Sequence, residues 1–247
     1  MRNITLAIAV AGLMSMAAQA AVYTSPVCGA GSANIPDASG ATPGLLSCIL
    51  PIFDPGVIGS GDAVTLSLIG LQHEAAADLE VTLTHFADPS LTLILGAPQF
   101  VFSRIGKMSA DPSDFGYLPQ FGDPAGTADN YSFNSSFLGD IWTTASTLGT
   151  ADLIPGQAQG AGNYWTTSPF SGAPNPFSSS FTGQTLAGYW RLDVTDNAEG
   201  PTSGSTGSLL QFELAFVDPD PVGVPEPTFG AAAGIVLAIG ALIRRIR

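Results

Sequence analysis

The chain has 247 residues, of which 11% are charged and 45% hydrophobic, a balance that excludes disorder driven by charge and polarity. Its formal net charge is −13. Arg2, Arg244, Arg245 and Arg247 lie at the extremes; between them only Arg104, Lys107 and Arg191 stand against all 20 acidic residues, a net −17 that would repel a phosphate backbone and excludes DNA or RNA as a partner.

Residues 1–20 read as a secretory signal peptide. Arg2 supplies the positive start, Ile4 to Met14 is an apolar run too short for a full span, and Ala18-Gln19-Ala20 is an A-x-A cleavage pattern before Ala21. No Cys follows the apolar run closely enough for a lipoprotein anchor, Cys28 being too far downstream. Residues 21–59 form a Gly-, Pro-, Ser- and Ala-rich N-terminal segment containing Cys28 and Cys48, which most simply form one disulfide in an exported chain. Closing that loop stabilises by about 3 kcal/mol in the chain-entropy model.

From residue 60 to 217 the pattern changes to period-2 alternation. Val64, Leu66 and Leu68 alternate with polar neighbours, as do Leu79, Val81 and Leu83, then Leu91, Leu93 and Leu95, then Trp190, Leu192 and Val194, and finally Leu210, Phe212, Leu214 and Phe216. One apolar and one polar face is what half-buried antiparallel strands require. No amphipathic helical stretch of useful length interrupts them, and an all-β fold, a β-sandwich or jelly roll, is expected. Residues 105–188 are less regular and dense in aromatics, from Phe115 to Phe181; these are expected to pack long loops onto the core, a sugar-stacking platform being the alternative.

Residues 218–227 are a linker ending in Pro225-Glu226-Pro227, and 228–247 carry an uncharged apolar run, Phe229 to Ile243, followed by Arg244-Arg245-Ile246-Arg247. The run reads as a transmembrane helix, spanning about 22 Å at 1.5 Å per residue against a hydrocarbon core of about 30 Å. The arginines can snorkel to the headgroups and hold that end in the cytoplasm, so the preceding chain faces outward.

This three-part ending resembles the PEP-CTERM sorting signal of Gram-negative bacteria. The resemblance implies recognition by exosortase, a membrane-embedded cysteine transpeptidase or protease, with cleavage near Pro225 to Pro227. The chain would be an inner-membrane-tethered precursor, then a protein of the cell surface or extracellular polysaccharide matrix. Two prolines keep the motif extended, in a form a cleft can hold. A second resemblance covers 60–217. Leu71-Gln72-His73-Glu74 leading to Asp78–Leu83, Asp129-Asn130-Tyr131-Ser132-Phe133, and Leu186–Asn197 followed by Gly207–Leu214 are similar to the P domain of proprotein convertases in its bacterial secreted form. That family's domain has no catalytic role of its own, and the resemblance makes His73 a structural turn residue bonding Asp78. The chain departs from the family pattern at Asn134, at Phe212 and in its long middle insertion.

Candidate chemistry is sparse, and no enzyme activity is expected. His73-Glu74 begins an H-E-x-x-H zinc motif, but position 77 is Ala. A secreted Ser–His–Asp hydrolase is a rival reading, though no G-x-S-x-G occurs. Asp193 and Asp196 are three apart on an expected strand and so face opposite ways, which argues against paired glycosidase carboxylates. Asp129, Asp196, Asn197 and Glu199 sit in turn-like segments and are candidate calcium ligands, with solvated acidic loops as the alternative. A glycan-binding surface module is a further rival.

Overall fold

The structure is a computed structural model and describes residues 21–29, 33–39, 42–59, 64–109, 116–117, 119–122, 129–148, 152–153, 162–198 and 207–216. It is all-β, built from β1 (Ala21–Thr24), β2 (Asn34–Ile35), β3 (Gly44–Ile52), β4 (Val64–His73), β5 (Leu79–Phe86), β6 (Gln99–Ser103), β7 (Gln120–Phe121), β8 (Asp129–Phe133), α1 (Ile141–Leu148), β9 (Asp152–Leu153), β10 (Asn163–Tyr164), β11 (Gly188–Asp196) and β12 (Gly207–Phe216). The small sheet has the antiparallel order β3-β11-β5-β6. In the large sheet β12 lies between β4 on one side and β1 with β2 on the other, and β7 and β8 both pair with the far edge of β4. The signal-peptide, PEP-motif and transmembrane expectations at 1–20, 218–227 and 228–247 lie outside the described residues.

Alternation writes this architecture. In β11, Trp190, Leu192 and Val194 point inward, and in β3 Leu46, Cys48, Leu50 and Ile52 do the same. The two inner faces meet through aromatic rings. Trp190 of the small sheet lies 5.5 Å from Phe216 of the large one, and Phe102 lies 5.4 Å from Phe121 and 5.3 Å from Phe133. Each such buried apolar ring contributes about 1.5–3 kcal/mol of burial.

Several expectations needed correction. The segment 21–59, set apart on composition, supplies β1 and β2 to the large sheet and β3 to the small one. Its Gly44 is a close-approach residue, since a Cβ there would overlap the Pro36 carbonyl. Leu91, Leu93 and Leu95 do not form a strand. The Asp88 carboxylate accepts the Ser90 hydroxyl and the Leu93 amide (2.6 Å), closing a turn that leaves Leu93 exposed at 59%. The expected inward Leu210 is 44% exposed, while Leu209 is buried. Both β4 and β12 change phase at the same height, around Gly70 (φ 69°) and Leu210, so Gln211 still pairs with Ile69 and Leu209 with Leu71. A helix, α1, was not expected; Asp140 caps it by accepting the Trp142 amide at 2.9 Å and the Thr143 amide at 3.2 Å.

The sandwich has two distinct ends. Ala21, Val64, Phe216 and Gly188 define the chain-exit end, because Ala21 pairs with Phe216, Phe216 with Val64, and Gly188 begins β11. His73, Gly207, Leu79 and Asp196 define the opposite end, through the pairs His73–Gly207 and Asp196–Leu79. Among the described residues no helix is long and apolar enough to cross a membrane.

Candidate functional site

A buried polar cluster lies at the end opposite the chain exits. His73 is the last residue of β4 and Asp196 the last of β11, so the alternation of two strands in different sheets delivers both side chains inward. Each is about 1% exposed, and His73 Nε2 lies 3.1 Å from Asp196 Oδ2. The other ring nitrogen, Nδ1, faces the Ala75 carbonyl at 2.9 Å and the Ala75 amide at 3.2 Å. Gly207 is required beside this ring: a Cβ there would come within 2.5 Å of His73 Cδ2. The result is a buried hydrogen bond that staples one sheet to the other, with both imidazole nitrogens engaged and neither directed at a hydroxyl nucleophile.

The expected bond from His73 to Asp78 is therefore corrected. Asp78 instead uses its backbone carbonyl, which accepts the Asn197 amide at 2.9 Å and its side-chain Nδ2 at 3.1 Å. Burial pushes the Asp78 carboxyl above the ordinary carboxylate range and the nearby Asp196 charge adds to it, while Lys107, His73 and Arg104 pull the other way. Glu74 is also raised, by burial first, with His73 opposing. Lys107 is only 4% exposed and Arg104 sits in a left-handed conformation (φ 47°), donating its amide to the Leu79 carbonyl at 2.7 Å. Two of the three cations between the ends of the chain thus balance this acidic cluster.

The candidate calcium ligands are distributed differently from the expectation. Asp196 is turned into the core on His73, and its Oδ1 accepts the Ala198 amide at 3.2 Å. Asn197 donates to the Asp78 carbonyl. Asp129 opens β8 opposite Leu71, and Glu199 lies outside the described residues. Among the described residues no group of three or more His, Cys, Asp or Glu is placed to hold a metal ion. Asp193, as expected, faces away from Asp196; it accepts the Arg191 Nε at 2.9 Å and the Ser47 hydroxyl at 2.5 Å.

The second histidine is a packing residue. His85 stacks on Trp190 with ring centroids 3.9 Å apart and 8° between planes, and its Nδ1 lies 3.0 Å from Gln184 Oε1. Burial lowers its pKa, with the Gln184 side chain and the Ala187 backbone opposing. Gly188 (φ 149°) leaves room for this ring, since a Cβ would strike His85 Nε2 and the Phe86 carbonyl. Of the aromatics between residues 105 and 188, Phe121, Tyr131, Phe133, Tyr164, Phe177 and Phe181 are at most 1% exposed, while Tyr117, Phe137, Trp165 and Phe170 are half-buried. Cys28 and Cys48 form the expected disulfide, each 2% exposed, with Cα atoms 4.9 Å apart. The sorting-motif residues Pro225, Glu226 and Pro227 and the topology residues Arg244, Arg245 and Arg247 lie outside the described residues. The pairing of His73 with Asp196 left no signal in the sequence, because its members are 123 residues apart and no spaced motif joins them.

No family model matches the chain, and no curated relative matches it. Among solved structures, the chain is similar to one described as the crystal structure of Aeromonas sobria serine protease and the chaperone ORF2 complex, at 15% identity and a TM-score of 0.37. The match covers 83% of this chain and 28% of that one, so the chain spans little more than a quarter of its length. A likeness that distant carries no argument about fold or activity.

Proposed function

We propose that this chain is a non-catalytic exported protein, cut by exosortase at Pro225-Glu226-Pro227 and delivered to the cell surface or the extracellular polysaccharide matrix as an acidic, P-domain-like β-sandwich. The observation that carries the reading is the order of the C-terminal parts in the sequence: a short linker after β12, then the motif, the apolar run as transmembrane helix, and the terminal arginines. Other features support it. Ala18-Gln19-Ala20 is an A-x-A cleavage pattern behind a positively started apolar run. A buried disulfide fits an oxidising compartment outside the cytoplasm. The segments that resemble the P domain coincide with β4 to β5, β8, β11 and β12, the strands at the centre of the fold. Both histidines are occupied by packing and internal hydrogen bonds, which favours a non-catalytic module over a hydrolase.

The experiment is Glu226→Ala in the native host. The account expects a larger, membrane-retained form to accumulate, with export across the inner membrane unaffected. Normal processing of the variant, followed on immunoblots of fractionated cells, would remove the sorting assignment.

A further inference from the structure

Large apolar side chains are not scattered evenly over this surface. Among the described residues, Val22 (58% exposed), Phe53 (79%), Leu93 (59%), Ile94 (51%), Leu95 (37%) and Leu138 (93%) all lie around the chain-exit end. The register places them there. Val22 pairs with Ala215, next to the Ala21–Phe216 pair. Phe53 follows Ile52, which pairs with Gly188, and Tyr189 beside it pairs with Phe86, which bridges Ile94. Leu138 belongs to the loop whose Asn134 donates to Thr65 Oγ1 at 2.9 Å, next to Val64. Away from this end the described residues expose Met108, Leu45 and Ile49 on the β3 edge, and the neighbours Val27 and Leu210, the last three at 42–44%. Six of the eleven exposed large apolar side chains among the described residues thus gather at one end, Leu138 and Phe53, the two most exposed, among them, and an apolar rim of that kind marks a contact surface.

We infer that this end is a seat for a lipid bilayer surface, occupied while the chain is tethered; the inference rests on the C-terminal membrane-anchor reading above. Two observations select lipid. First, β1 begins and β12 ends at this end, paired residue for residue, so both chain exits leave from the rim itself. Second, the tether is short. Residues 217–227 span about 40 Å at most when fully extended, at about 3.3–3.6 Å per residue, which holds the rim close to the membrane at high effective concentration. Phe, Leu and Ile tips enter the boundary between headgroups and acyl chains, and need little intrinsic affinity when already tethered. The rim also carries Asp54, which accepts the Tyr23 hydroxyl at 2.8 Å, and Asp88, while Arg104 and Lys107 sit at the other end. Arg191 reaches the Phe86 ring beside the rim, 4.9 Å from its centroid, but its charge is paired with Asp193, and this distribution fits a zwitterionic surface rather than an anionic one. Seated this way, the domain points its His73–Asp196 end away from the membrane, and severing the tether releases the seat.

The test uses the full chain reconstituted in phosphatidylcholine vesicles that carry a lipid-borne quencher, with a fluorophore on Phe53→Cys or on Met108→Cys. The quencher is expected to remove most of the emission at position 53 and little at position 108, with the loss at 53 reduced by adding phosphatidylglycerol or by Ile94→Asp. Equal response at the two positions, in a chain that floats with the vesicles, overturns the seat and leaves the anchor standing. A chain that does not float overturns the anchor and the seat together. Shielding of position 53 from an aqueous quencher without quenching by the lipid probe would mean that a second copy covers the rim, which also overturns the seat.

Discussion

Stacked face to face on Trp190 and removed from water, the His85 imidazole is held in its neutral form, with its pKa pushed below the ordinary 6.5. Protonation is therefore easier in the unfolded chain. Stability from this residue is complete above about pH 6.5, where both states are neutral, and falls as the pH drops toward the lowered folded value, because the unfolded state binds the extra proton. Asp78 acts in the opposite sense. Its raised carboxyl favours the protonated folded form, so its contribution is greatest below the ordinary 3.8 and is lost as the pH rises through the folded value. The two act in opposite directions, so substitution of one separates them. His85→Phe keeps an aromatic ring on Trp190 and removes the titration. Its melting temperature is expected to vary less than that of the parent between about pH 7 and about pH 5. An unchanged slope would place the acid sensitivity elsewhere.

Strands were legible where alternation ran for three or more pairs and nothing local competed. β11 satisfies that condition along its whole length and β5 from Leu79 to Leu83, beyond which Thr84, His85 and Phe86 are all buried; β4 and β12 satisfy it up to the shared bend. The bend itself was not legible, because Leu210 reads as an inward residue until Gly70 on the neighbouring strand shifts the phase of both. Leu91 to Leu95 mimicked a strand, but Asp88 binds the main chain of the same segment and folds it into a turn. β3 was hidden by the Gly- and Pro-rich residues around it, although Leu46, Cys48 and Leu50 do alternate. The disulfide was legible from count and compartment alone, while the His73–Asp196 staple was not, since only tertiary structure brings its partners together. These differences can be measured. Leu93→Ser should change stability by no more than about 0.5 kcal/mol, because the side chain is already in water. Leu83→Ala, at 0% exposure between Leu192 and Gln99, should cost about 2–5 kcal/mol. Denaturant melts that gave similar costs for both would show that residues 91–95 pack as a strand after all.

The molecule as a whole combines a closed core with a strongly one-sided outline. Both chain exits and much of the exposed apolar surface share one end, and the inter-sheet staple, with its balancing cations, occupies the other. That arrangement suits a domain held by one end and later set free, as the proposed signal peptide and C-terminal sorting motif would require. Intact-mass and terminal-peptide mass spectrometry of the protein from its native host, with and without exosortase, puts this to the test. The account expects Ala21 at the new N terminus, and loss of the apolar run and the arginines only when exosortase is present. A cytoplasmic protein that keeps Met1 and the terminal Arg244-Arg245-Ile246-Arg247 would contradict it.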